Sequence, residues 1–148
     1  MTDTELMRLA LREAQFAAEA DEVPVGAVIA REGEVIALGR NMREGEKNSL
    51  AHAEIIAIDR ACKKLHGWRL QGCDIFVTLE PCPMCAGAII NSRLNRVVFG
   101  AYDEKAGSFG SLTDLSILPY NHKPEIIGGV LSDECARVLT DFFIKKRK

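Results

Sequence analysis

The stretch VTLEPCPMCAGAIINS, from Val77 to Ser92, decides how the rest of the chain is organised. It predicts a buried strand that ends in a proline-containing turn and leads into a helix. Cys82 and Cys85 fall in the first turn of that helix, where positions i and i+3 share one face, so both sulfurs can point at one place. The helix dipole favours their thiolate forms there, and a thiolate pair suits a zinc ion.

Two sulfurs do not complete a tetrahedral site, and His52 in the sequence AHAE (51–54) is the best candidate for a third ligand. A His/Cys/Cys set leaves the fourth zinc position open for water, which is typical of catalytic sites. Zinc lowers the pKa of such a water to around 7 and so supplies hydroxide at neutral pH. Glu54, near the entrance of its helix, is placed to take the water's proton and pass it to a leaving nitrogen.

Length and composition favour one globular domain covering 1–148. The chain has 148 residues, 47% hydrophobic and 27% charged, with a formal net charge of −2 that gives no general sign of nucleic-acid binding. Its five cysteines are irregularly spaced, which favours a reducing cytoplasm over a secreted disulfide framework. We expect no signal peptide and no membrane span, because no apolar run approaches the ~20 residues that a span requires.

Helix and strand patterns alternate along the chain. A first helix ends before Pro24, and a Gly turn joins two strands at 25–30 and 34–39. Ser49 is predicted to cap the next helix. The buried stripe of that helix is expected to consist of Ala51, Ile55, Ile58, Cys62 and Leu65.

Three further strands are expected at 73–79, 96–100 and, more weakly, 125–130, and a Gly/Ser-rich loop at 105–111. The last helix is predicted at 132–146, with Ser132 as its N-cap. Strands separated by helices of this length imply an α/β sandwich with helices on both faces of the sheet.

Some motifs have a plainer interpretation. A lone CxxC at a strand-to-helix junction also suits a thioredoxin-like redox site, but the HxE upstream favours a metal. Glu80 fits either an exposed charge or a hydrogen-bond acceptor behind the metal ligands. The basic tail is usually just a solvated helix end and is at best a weak sign of RNA binding. It consists of Lys145, Lys146, Arg147 and Lys148.

The His-Ala-Glu and Pro-Cys-x-x-Cys motifs resemble those of the zinc deaminases that are related to cytidine deaminase. Narrower segments are similar to the bacterial tRNA-specific adenosine deaminases, and the similarity runs along nearly the whole chain. Those segments are EVPVGAVI, RVVFGAYDEKAGSFGSL, the NHK near 122 and the DEC…FF ending with its basic residues.

The resemblance implies a cytidine-deaminase-like fold, a three-layer α/β/α sandwich around a five-stranded mixed sheet, acting as a homodimer. It implies hydrolytic deamination of the wobble adenosine of a tRNA anticodon to inosine, with one zinc ion per chain and no organic cofactor. By position, His52, Cys82 and Cys85 hold the zinc and Glu54 is the proton shuttle.

The resemblance also implies a set of substrate contacts. Asn41 is expected to hydrogen-bond the flipped base, Val25 and Pro81 to line its pocket, and Asp103 to face the nucleotide before the target. Position 102 is Tyr where related bacterial enzymes can carry Arg, which changes the surface near the substrate mouth.

Two other functions use the same motifs. One is a deaminase of free nucleobases or nucleosides such as guanine or cytosine, against which the long C-terminal helix with its basic end argues. The other is a non-catalytic zinc subunit that binds RNA beside an active partner, against which the presence of Glu54 argues.

Overall fold

Five strands form one mixed sheet with helices on both faces, in a computed structural model that describes residues 1–147. The sheet order is β2-β1-β3-β4-β5. In chain order the elements are α1 (Asp3–Glu19), β1 (Gly26–Arg31), β2 (Glu34–Arg40), α2 (Arg43–Glu46), α3 (Ala53–Leu65), β3 (Cys73–Leu79), α4 (Pro83–Asn91), β4 (Arg96–Ala101), a 3₁₀ turn (Leu115–Ile117), β5 (Glu125–Ile127) and α5 (Ser132–Lys146).

Strand directions bring distant parts of the chain to one edge of the sheet. β1 is antiparallel to both β2 and β3, whereas β3, β4 and β5 run parallel. The β1–β2 hairpin turns at Glu32 and Gly33, both with positive φ (52° and 77°), as a tight two-residue hairpin requires. The start of β1 and the ends of β2, β3 and β4 therefore meet at the same edge.

The two faces of the sheet are covered by different helix pairs. α3 and α4 pack on one face, where their buried residues join Ile75, Val77 and Phe99 in one apolar core. α1 and α5 pack on the other, around Phe76 and Val98. The predicted three-layer α/β/α architecture with a five-stranded mixed sheet is confirmed.

Two glycines let helices lie directly on the sheet backbone. A Cβ on Gly39 of β2 would lie 2.3 Å from the Ala53 carbonyl oxygen and 2.7 Å from the Ala57 nitrogen of α3. A Cβ on Gly26 of β1 would lie 1.9 Å from the Ala10 carbonyl oxygen of α1. No side chain fits between these backbones, so the first turn of α3 is held at a fixed height above the sheet.

The close packing of α3 explains why its predicted buried face was only partly correct: Ile58, Cys62 and Leu65 do pack against the core, but they are not its most buried residues. Its fully buried apolar residues are Ala53, Ala57 and Ala61, whereas most of the predicted stripe is only half-buried. A prediction from apolar periodicity assigns the larger apolar side chains to the buried face. A helix that lies directly on a glycine of the sheet must instead place its smallest side chains against the sheet. The predicted cap was also wrong, because His52 rather than Ser49 is the N-cap.

Other differences lie in the connecting segments. α2 has only four residues and no apolar periodicity, so the sequence predicted a loop there. The fifth strand is shorter than expected and ends before Gly128. α5 has the predicted bounds, but Leu131 is its N-cap in a left-handed conformation (φ 54°), and Ser132 is its first helical residue. The strand at Cys73–Leu79 and the loop at 105–111 lie where they were predicted.

The contact between α3 and Gly39 predicts the effect of adding one methyl group. Gly39→Ala should lower the free energy of unfolding by about 1–3 kcal/mol, because the new Cβ overlaps the helix backbone. Denaturant unfolding monitored by circular dichroism measures this loss. Gly87→Ala in α4 is the matched control, since its Cβ would meet open space and alanine favours a helix by up to ~1 kcal/mol. Equal stability of the two variants would show that the contact is not required.

Candidate active site

The starts of α3 and α4 meet above the edge where β3 ends. His52 is the N-cap of α3 and Cys82 the N-cap of α4, both with extended backbone, and Cys85 lies one turn further on. Pro83 begins α4 at a position where its missing N–H is not needed. The positive ends of two helix dipoles thus point towards one place, which favours anionic sulfur ligands.

The three side chains have the spacing of metal ligands. The His52 Nδ1 atom lies 3.7 Å from the Cys82 Sγ and 3.5 Å from the Cys85 Sγ, and the donor atoms all lie within 4.8 Å of one another. Metal–sulfur bonds of about 2.3 Å and metal–nitrogen bonds of about 2.0–2.1 Å at a tetrahedral angle separate S and N by about 3.6 Å. These residues therefore fit a tetrahedral metal ion and leave a fourth position for another ligand.

The thiols are electrostatically coupled. A hydrogen bond from Cys85, helped by His52, lowers the pKa of Cys82 to about 4. The bond to Cys82 and burial both raise the pKa of Cys85, and the bond to Cys82 raises that of His52. Cys82 is therefore the more acidic of the two thiols and the easier one to bind to a metal ion as a thiolate.

Glu54 lies in the first turn of α3 and faces the same cavity. Its side chain is only 4% exposed, and this burial raises the pKa of Glu54 to about 7. A carboxyl group with a pKa near neutrality can both accept and donate a proton under the same conditions. A group that can transfer protons therefore lies next to the metal-binding triad, at the same cavity.

A cavity of about 180 Å³ opens beside these groups. It is lined by residues from the sheet edge and its loops, which are Val23, Val25, Asn41, Arg43, His52, Glu54, Leu79, Glu80, Cys82, Asp103 and Ala106. Three of the four predicted substrate contacts (Val25, Asn41 and Asp103) are among them. Pro81 is buried between Glu80 and Cys82 and is not one of the lining residues within the described chain.

The polar side chains of the cavity are already partly engaged. The Asn41 Oδ1 accepts a hydrogen bond from the Ala53 N–H (2.8 Å), which leaves the amide nitrogen as the group available to a substrate. One carboxylate oxygen of Asp103 accepts from the N–H groups of Lys105 and Ala106 (3.0 and 3.3 Å). Only the second oxygen of Asp103 is therefore free of this turn.

A larger cavity of about 630 Å³ adjoins the first and shares Val23, Asn41 and Arg43 with it. It extends to the end of α5, where Phe142, Phe143 and Lys146 line it. The two cavities together form a path from the metal-binding triad to the C-terminal helix.

The basic tail lies partly on this path. Lys145, Lys146 and Arg147 are exposed at the end of α5, and the Lys146 ammonium donates to Asp21 at 2.7 Å. Lys148 lies outside the described residues. Tyr102, at the position that departs from the related pattern, is half exposed and packs edge-on against Phe99.

Sequence reasoning missed four of the lining residues, Val23, Arg43, Leu79 and Ala106. Leu79 could have been found, because it is the last strand residue before the cysteine motif. Val23 and Ala106 lie in connecting segments and Arg43 begins the four-residue α2, so none of the three belongs to a periodic pattern, and only the strand pairing brings them to this edge.

Comparisons with known proteins give a consistent picture. The sequence matches the family of MafB19-like deaminases over residues 1–147. The tRNA-specific adenosine deaminase of Bacillus subtilis is 51% identical over 150 residues, which cover 100% of this chain and 93% of that protein. The corresponding protein of Agrobacterium fabrum is 44% identical over 145 residues, which cover 97% and 95%.

Solved structures agree with the sequence comparisons. The structure from a study of A-to-I editing by tRNA:A34 deaminases at the wobble position of transfer RNA matches with a TM-score of 0.88 and 44% identity, covering 92% of this chain and 99% of its own. A guanine deaminase from Nitrosomonas europaea matches with a TM-score of 0.77 and 26% identity, covering 94% and 83%.

The ligand geometry predicts about one metal ion per purified chain. His52→Ala and Cys85→Ser should lose most of it and unfold at lower temperature, because metal binding to the folded state is linked to folding. Elemental analysis and thermal unfolding measure both effects. Cys62→Ser, at the far end of α3, should keep the metal. Full metal content in the His52 and Cys85 variants would remove the assignment.

Proposed function

The chain belongs to the tRNA-specific adenosine deaminase family, and we propose that it hydrolyses the wobble adenosine of a tRNA anticodon to inosine with release of ammonia. One observation carries the proposal. A His/Cys/Cys triad with metal-ligand spacing adjoins the buried Glu54 beside a small cavity, in a chain 51% identical to a tRNA-specific adenosine deaminase.

Zinc is the proposed metal. Two thiolates and one imidazole in tetrahedral spacing suit zinc, and the three-ligand set keeps a position open. When bound, zinc supplies an activated water as the nucleophile for C6 of adenine. His52, Cys82 and Cys85 are the residues that would hold it.

Glu54 is proposed to move the protons of the reaction. Its carboxylate takes a proton from the attacking water and delivers a proton to the departing amino nitrogen. One group with a pKa near 7 can serve both transfers, because neither its protonated nor its ionised form is strongly disfavoured at neutral pH. Its burial also keeps bulk water from competing for the proton.

The remaining cavity residues are proposed to hold the base. The Asn41 amide nitrogen is the donor left over after the bond to Ala53, so it can bind an acceptor on the edge of adenine. Val25 supplies an apolar wall, and Pro81 acts through its carbonyl, which accepts a hydrogen bond from the Ser108 N–H of the loop beside the cavity. The sugar-phosphate backbone then leaves through the side of the cavity near Asp103.

The substrate is proposed to be a polynucleotide because the site continues beyond the base. The base-sized cavity joins the larger one at Asn41 and Arg43, and that cavity runs to Phe143 and Lys146 on α5. Aromatic and cationic side chains together are what unpaired bases and phosphates bind. An anticodon-loop base is largely unpaired, so its extrusion into the site costs little.

The basic end of α5 is proposed as the phosphate contact, with Lys145, Lys146 and Arg147 as its described members. Neutralised phosphates release counterions, which makes such contacts sensitive to salt. Lys146 must give up its bond to Asp21 before it can bind a phosphate, and this exchange reduces its net contribution to RNA affinity.

We also propose that the protein acts as a cytoplasmic homodimer. The segment 112–120 exposes Leu112, Ile117 and Tyr120, and clustered exposed apolar residues are typical of protein–protein contacts. The five cysteines form no disulfide within residues 1–147, as suits a reducing compartment. Among the helices within residues 1–147, none combines the length and apolarity needed to cross a membrane.

A parallel substrate assay tests the function. The purified protein is given a tRNA anticodon stem-loop, free adenosine, guanine and cytosine, and inosine and ammonia are measured. We expect the stem-loop adenosine to react fastest, since only it fills both cavities. Faster turnover of free guanine, the substrate named for the more distant structural relative, would overturn the tRNA assignment.

The proton-transfer role predicts the behaviour of Glu54→Gln. This variant should keep its metal and its affinity for the stem-loop but lose turnover by roughly 10²–10⁴-fold, the usual contribution of a general acid/base. Single-turnover kinetics with elemental analysis measure the two properties separately. Asp59→Asn, on the exposed face of the same helix, should behave as wild type. A near wild-type rate for Glu54→Gln would move the shuttle role to another residue.

A further inference from the structure

Glu80 is a fully buried acidic residue to which the mechanism gives no task. It follows β3 directly, two residues before the metal-ligand Cys82, and its side chain is only 2% exposed. Within residues 1–147, no lysine or arginine forms a salt bridge with it. Burial of an acid in this way requires neutral donors that satisfy both oxygens.

Those donors all come from one loop, residues 103–111, which we call the rim loop. The Oε1 atom accepts from the Asp103 N–H at 3.1 Å and from the Ser111 hydroxyl. The Oε2 atom accepts from the N–H groups of Phe109 and Ser111, both at 3.1 Å. Three of the four bonds come from backbone N–H groups, which can only donate, so both oxygens of Glu80 are held as acceptors by the backbone of the loop.

The rim loop is folded tightly around this carboxylate. A Cβ on Gly107 would lie 2.4 Å from the Glu80 Cδ and 2.4 Å from the Asp103 carbonyl oxygen, so only glycine fits there. The Ser108 N–H donates to the Pro81 carbonyl at 2.9 Å, which ties the loop to the next residue of the cysteine segment. The same short segment therefore carries a metal ligand and the anchor of the loop.

The rim loop supplies one wall of the active-site cavity through Asp103 and Ala106. The loop contains no strand or helix of its own apart from a single bridge at Phe109, which is buried in the core. On the side of Asp103, the bonds to Glu80 are what hold it beside the cysteine segment. The width of the cavity on the side of the flanking nucleotide thus depends on Glu80.

We propose that Glu80 is a positioning residue that fixes Asp103 and the rim loop against the nucleotide preceding the target adenosine. This proposal rests on the proposed function, since it assigns the loop a role in fitting that RNA. Glu80 lines the cavity, but the four hydrogen bonds of its carboxylate all go to the rim loop, so its role is in substrate fit and neighbour preference. The metal ligands and Glu54 are held by α3 and α4 and do not need the loop.

Glu80→Gln gives a specific structural expectation. The amide nitrogen should take the Oε1 position, because the Ser111 hydroxyl can turn round and accept a bond there, whereas both partners of Oε2 are fixed N–H donors. The Asp103 N–H then faces a donor. Hydrogen exchange should become faster at Asp103 and change less at Phe109.

Glu80→Gln is expected to change KM while leaving kcat nearly unaffected. For the stem-loop, Glu80→Gln should raise KM at least about tenfold, since a hydrogen bond to a charged acceptor is worth about that factor or more, and kcat should change little. Metal content should stay at the wild-type level. Four stem-loops that differ only in the base before the target adenosine test the neighbour preference. Their kcat/KM values should differ less for the variant than for the wild type.

Two further variants complete the design. Glu104→Gln removes the same charge from the rim loop at an exposed position and should leave KM and hydrogen exchange unchanged. Gly107→Ala pushes on the Glu80 carboxylate from the opposite side and should reproduce the KM effect. It decides the question if Glu80→Gln does not fold.

Several outcomes would overturn the proposal. A wild-type KM despite faster exchange at Asp103 would show that the loop does not position substrate, and a loss confined to kcat would place Glu80 in the chemical step. Failure of the proposed function looks different, because the wild type would then not deaminate the stem-loop. In that case KM is measured on whichever of the four assayed substrates reacts, and an unchanged KM there also rejects the proposal.

Discussion

Two helices begin at the same point above the sheet edge, and the geometry of the site depends on this shared origin. His52 and Cys82 are the residues just outside α3 and α4, so a shift of either helix moves a ligand. α3 is held because its backbone touches Gly39, and α4 because Ala86 and Ile89 are buried in the same core. A separation of 3.5 Å between two ligand atoms on different helices is therefore a property of the packing.

The sequence predicted the parts of the fold whose signals are local. The strand at Cys73–Leu79 and the bounds of α5 follow from continuous patterns within each segment. The most buried residues of α3 could not be predicted in this way, because they depend on which residue of another element, here Gly39 of β2, lies beneath the helix. The cap of α5 failed for a similar reason, since Leu131 reaches its left-handed conformation through a turn that the helix pattern does not contain.

The residues of the candidate site also fall into those that local sequence patterns predict and those that they do not. His52, Glu54, Cys82 and Cys85 form spacings that chemistry alone makes meaningful, whereas Asn41 and Asp103 were expected only from the family resemblance. Glu80 stayed undecided from the sequence because its donors lie 23 to 31 positions away. Arg43 was missed because a four-residue helix has no periodicity to read.

Both helices give up an ordinary stabilising feature at the site. An N-cap side chain normally bonds the free N–H groups of its own helix, which contributes about 0.5–2 kcal/mol. At the N-caps of α3 and α4, the side chains of His52 and Cys82 instead face each other across 3.7 Å. An ion held by this triad would therefore cross-link the starts of two helices whose own N-cap side chains do not secure them, and the Asn41 Oδ1 takes the place of a cap side chain only at the Ala53 N–H of α3.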